Sequence, residues 1–101
     1  MSDLKNKYRE GTIYSIRESF LPERNWGEDE FFYAWLDDTY RDDQQKSMKE
    51  LGSFSKEEFK RLDALDKVVK KQYKNWMETK KLTDEMLAEI NKKREEFLDL
   101  V

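Results

Sequence analysis

A chain of 101 residues, 43% of them charged and 37% hydrophobic, suits one domain whose small core takes one apolar stripe from each element. With no Cys and no His, it has no disulfide staple, thiol chemistry, imidazole base or Cys- or His-liganded zinc, and three glycines with one proline are too few for an all-β chain. Net charge is −3, yet residues 26–43 alone carry seven acids against one base, so one acidic segment sits in an otherwise near-balanced chain.

The opening "MSDLKNKYREG" lacks the apolar core of a signal peptide, and no run approaches the ~18 apolar residues of a membrane span; a cytoplasmic location without membrane contact is expected. Leu4 and Tyr8 share one helical face while Ile13, Ile16 and Phe20 share another, which predicts a break or bend at Gly11 and a stop at Pro22. The alternation in "TIYSI" leaves a short strand over 12–16 as the alternative.

Residues 26–43, "WGEDEFFYAWLDDTYRDD", hold six aromatic rings. Gly27 as N-cap with Glu30 three later, and Trp26 with Phe31 at staple positions, predict a helix over about 28–42. Phe32, Trp35, Leu36 and Thr39 share its face, with Phe31 on one flank and Tyr33 and Tyr40 on the other. That arc exceeds the ~100° stripe an ordinary surface helix buries. Either the helix is wedged between neighbours, with Trp35, Phe32 and Leu36 as core and the carboxylates as its wet side, or some rings stay at the rim. On the second reading, Phe31, Tyr33 and Tyr40 are expected to stay partly exposed and to form a contact patch with Asp29, Asp37, Asp38 and Asp42 for a basic partner.

Asp42 with Gln45 predicts a capping box opening a short helix that ends at Gly52. In "GSFSKEEF", Ser55 with Glu58 is a capping box and Phe54 with Phe59 its hydrophobic staple, so a long helix over 55–80 follows, apolar at Phe59, Leu62, Leu65, Val69, Tyr73 and Trp76. Lys80 and Lys81 are placed in its last turn. Lys56, Lys60, Lys67, Lys70, Lys71 and Lys74 fall on the opposite side, interrupted by Asp63 and Glu78; this row is a solvated back or, alternatively, a phosphate-contacting stripe. "KELGSFSKEEFKRL" has the cadence of a helix-turn-helix, but Met48 stands where a small residue would be needed. Thr83, followed by Asp84 and Glu85, opens a final helix over 84–100 with Leu87, Ile90, Phe97 and Val101 on one face and Arg94 interrupting it. The short connection predicts that the last two helices form an antiparallel hairpin.

For catalysis the only candidates are Asp37, Asp38, Asp42 and Asp43, but adjacent acids on a helix point apart, and no phosphate loop or activated nucleophile accompanies them. The expectation is an all-α domain of four to five helices closed by a C-terminal antiparallel hairpin, non-enzymatic, with no cofactor and no metal. It is expected to bind another protein with a basic surface through Phe31, Tyr33, Asp37, Asp38, Tyr40 and Asp42. An inhibitor or adaptor role is in keeping with the small, motif-free host-takeover and anti-defence proteins of phages and mobile elements. The alternatives are nucleic-acid binding through Lys60, Lys67, Lys70, Lys71 and Lys74, and homo-oligomerisation through the long helix.

Overall fold

The computed structural model describes residues 2–19 and 28–101, and every element among them is helical. Helix α1 (Ser2–Tyr14) runs into a π-helical turn, Ser15–Ser19, and α2 (Glu28–Tyr33) likewise into Ala34–Thr39. Helices α3 (Asp42–Leu51), α4 (Lys56–Thr79) and α5 (Asp84–Leu98) are regular. The 24 residues of α4 span about 36 Å and set the long dimension of a 44 × 23 × 20 Å molecule. No described helix is long and apolar enough to cross a membrane. The expectations at Phe20, Pro22, Trp26 and Gly27 fall outside the described residues, as does the side chain of Asp29.

The C-terminal half follows its local signals. Ser55 Oγ accepts from the Glu58 N–H at 3.1 Å and Glu58 Oε1 accepts from the Ser55 N–H at 2.7 Å, closing the capping box, while the Phe54 and Phe59 rings stand 5.4 Å apart as the staple. Thr83 Oγ1 accepts from the Met86 N–H at 3.2 Å to open α5. Helices α4 and α5 run antiparallel: Phe54, just before α4, meets Phe97 near the end of α5 at 5.7 Å, and Lys71 pairs with Glu89 further along at 3.3 Å. Leu62, Leu65, Val69, Trp76, Leu87, Ile90 and Phe97 are buried in the shared core.

Lys80 departs from expectation. It follows the last turn of α4 as a left-handed cap with φ 56°, its N–H bonded to Trp76 O and its ammonium 4.5 Å from the Trp76 ring. That conformation costs a non-glycine residue about 1–2 kcal/mol, while the cation over the ring returns about 0.5–1 kcal/mol. Lys80→Ala is therefore expected to lower stability by about 0.5–1 kcal/mol, and Lys80→Gly to restore it, as read from urea midpoints.

The N-terminal half corrects two expectations and settles one alternative. Helix α1 passes through Gly11 unbroken and residues 12–16 are helical; Leu4 on the first face stays exposed, while Ile16, in the π-turn at Ser15–Ser19, is completely buried. The capping box at Asp42 and Gln45 does not form: Arg41 is the N-cap of α3, and Gln45 Nε2 turns back to Tyr40 O at 3.2 Å. Gly52 does end α3, with φ 69° and the Ser53 N–H bonded to Met48 O at 3.0 Å. Arg94 does more than interrupt the face of α5. Its Nε donates to Ile16 O at 2.8 Å and its Nη2 to Arg17 O at 2.9 Å, tying α5 to the π-turn after α1. Nearer the start of α1, Arg9 grips Glu58 through two bonds of 2.8 and 2.9 Å, with its guanidinium 5.1 Å from the Phe54 ring centre.

Candidate protein-interaction surface

Helix α2 and its π-turn are wedged between the π-turn after α1 and the long helix α4, so the wide aromatic arc finds cover on both sides. Phe31, Phe32 and Trp35 are completely buried and Tyr40 is 1% exposed, which corrects the expected partial exposure of Phe31 and Tyr40. Phe32 packs against Tyr73 and Trp76 of α4, with ring centres 5.3 and 5.5 Å away. Tyr40 is turned inward by the backbone. Its N–H bonds to Trp35 O at 3.0 Å, and Thr39 Oγ1 donates to Ala34 O at 2.7 Å, both reaching five residues back. In an α-helix residues five apart point about 140° away from each other; here the Trp35 and Tyr40 rings come within 5.6 Å.

The polar ends of these rings are bonded to α4. Trp35 Nε1 donates to Asp66 Oδ1 at 2.9 Å inside the core, and Asp66 Oδ2 pairs with Lys70 Nζ at 3.0 Å. Tyr40 donates to Asp63 Oδ1 at 2.9 Å, and Asp63 Oδ2 pairs with Lys49 Nζ at 3.1 Å. Asp63, an interruption of the lysine row in sequence, is thus the phenol's acceptor. Burial first, then the Asp63 carboxylate, pushes the Tyr40 hydroxyl far above the usual phenol range. For Lys70, burial disfavours the ammonium, but Asp66 and Asp42 outweigh it and hold the group above its ordinary value.

Four of the six expected docking residues remain outside. Tyr33 is 44% exposed, its ring 6.4 Å from Tyr73, and Asp37, Asp38 and Asp42 face solvent. Asp42 reaches Lys70 at 3.3 Å and its neighbour Asp43 reaches Arg41 at 3.1 Å. Asp37 and Asp38 make no ion pair among the described residues. Asp38 also borders a groove of about 300 Å³, with Leu4, Tyr8, Gly11 and Ser15 of the first rod on one wall and Asp38 and Gln44 on the other. Sequence reasoning missed this groove, because only the tertiary fold sets α1 beside the end of α2.

The lysine row is divided. Lys70 is held by Asp66 and Asp42 and Lys71 by Glu89, on two flanks of α4, leaving Lys60, Lys67 and Lys74 exposed. A second cavity of about 370 Å³ lies beside Lys60, Arg61 and Lys93, but Glu57 and Glu96 line it too, and Lys93 pairs with Glu96 at 3.3 Å. Among the described residues no three carboxylates converge to hold a metal ion. Comparison with protein-family models, curated proteins and solved structures found no match.

Proposed function

We propose that this chain is a non-enzymatic protein-binding module, an inhibitor or adaptor that offers the face carrying Tyr33, Asp37 and Asp38 to a protein with a basic surface. The observation supporting this reading is a contrast among neighbouring acids: Asp42 and Asp43 of the acidic segment, and Asp63 and Asp66 of α4 behind it, each hold a base, whereas Asp37 and Asp38 stand exposed without one among the described residues. Two adjacent unneutralised carboxylates set up a local negative field that accelerates encounter with a basic surface, and a half-exposed tyrosine adds contact area at small entropic cost.

Affinity capture from a lysate of the source cell tests it. A protein retained by the wild type is expected to be lost from a variant combining Tyr33→Ala with Asp37→Lys, while the far-ultraviolet helical signal stays unchanged; equal retention by both contradicts the reading. Retention of nucleic acid that weakens on Lys67→Glu with Lys74→Glu would favour the basic side of α4 instead. A sedimentation mass above one chain would favour self-association.

A further inference from the structure

Gly11 lies in the interior of α1, where glycine is among the poorest residues for helix stability. Neither backbone nor packing calls for it: φ is not positive, and a Cβ added there would meet no atom within 4 Å. The space such a side chain would enter is the groove facing Asp38. Across it stands the Asp38 carboxylate, which makes no ion pair among the described residues and is the only anion among those that line the groove. Leu4, 49% exposed, and the half-buried Tyr8 supply apolar wall along the same groove. At about 300 Å³ it is at the small end of ligand sites, sized for one long side chain.

We propose that this groove is a socket for a single arginine side chain of the protein partner, with the aliphatic stem lying over Gly11 against Leu4 and Tyr8 and the guanidinium on Asp38. Arginine fits better than lysine because its planar fork can engage a carboxylate through two bonds and its face can stack on a tyrosine ring. Lys7, also lining the groove, repels a cation placed anywhere but directly on Asp38, which fixes where the guanidinium must sit. The inference rests on the protein-binding reading above and narrows it to one recognised group.

The test titrates n-butylguanidinium chloride into the full chain, followed by amide proton–nitrogen correlation spectra. Saturable shifts are expected at Gly11, Ser15 and Thr39, at least tenfold weaker in affinity for Asp38→Asn and for Gly11→Leu. The n-butylammonium ion is expected to bind more weakly and n-butanol to leave these amides unmoved. Gly11→Ala is the control for folding, expected to unfold at a higher urea concentration than wild type. Shifts that n-butylammonium matches, that survive Gly11→Leu, or that spread over all surface carboxylates would overturn the socket. If none appear while Tyr33→Ala with Asp37→Lys still abolishes protein capture, the socket falls and the docking face stands.

Discussion

Replacing Trp35 with alanine is expected to cost about 4 kcal/mol, enough to bring a domain of this size close to unfolding at room temperature. The ring is completely buried, 5.6 Å from Tyr40, and its N–H bonds to Asp66 inside the core. Truncation opens a large cavity between α2 and α4 and strips Asp66, only 8% exposed, of one of its partners. Trp35→Phe separates the two effects, since it keeps most of the apolar area and loses only the hydrogen bond, for about 1–2 kcal/mol. Urea denaturation followed by circular dichroism checks both; a cost for the alanine variant no larger than for the phenylalanine one would mean that the ring contributes little packing.

The second large effect belongs to Glu58. Its bonds from Arg9, against the opposing effect of burial and with help from the Ser55 N–H, hold its carboxyl down from 4.5 to about 2. A carboxyl depressed on folding contributes stability that is fully present above pH 4.5 and is lost as pH falls toward about 2. Because Glu58 is only 12% exposed while Arg9 is 33% exposed, screening at the arginine trims the linkage to about 2 kcal/mol. Glu58→Gln should therefore lose about 2 kcal/mol at pH 7, with the gap to wild type closing between pH 4.5 and about 2. A gap that stays constant across that range would show that the lost interaction is not the ionised pair.

What could be read in the sequence was what is encoded within one or two turns. Ser55 and Glu58, Phe54 and Phe59, Thr83 and Gly52 act on neighbours a few residues away, so the end of α3, the starts of α4 and α5 and the hairpin were legible, as was the all-α class. The α-helical period failed where the backbone leaves it. π-Turns at Ser15–Ser19 and Ala34–Thr39 shift the phase of everything after them, and the second is why an α-helical period puts Tyr40 at the rim. The acceptors of Trp35 and Tyr40 lie 31 and 23 residues away, and Arg94 bonds to carbonyls 78 and 77 residues before it. Such pairings carry no local signal. The candidate surface was legible in part: its exposed acids and Tyr33 stand out by composition, while the groove beside them exists only once α1 is fastened by Arg9 and Arg94.

Hydroxyl-radical footprinting read by mass spectrometry distinguishes the rings of the acidic segment directly. With the aromatic helix wedged between its neighbours and anchored through Asp63 and Asp66, Tyr33 should be labelled, while Phe31, Phe32, Trp35 and Tyr40 stay protected until the chain unfolds. Labelling of Phe31 and Tyr40 to the same extent as Tyr33 would contradict that arrangement, and with it the division of the segment into a sealed aromatic face and an outward acidic one.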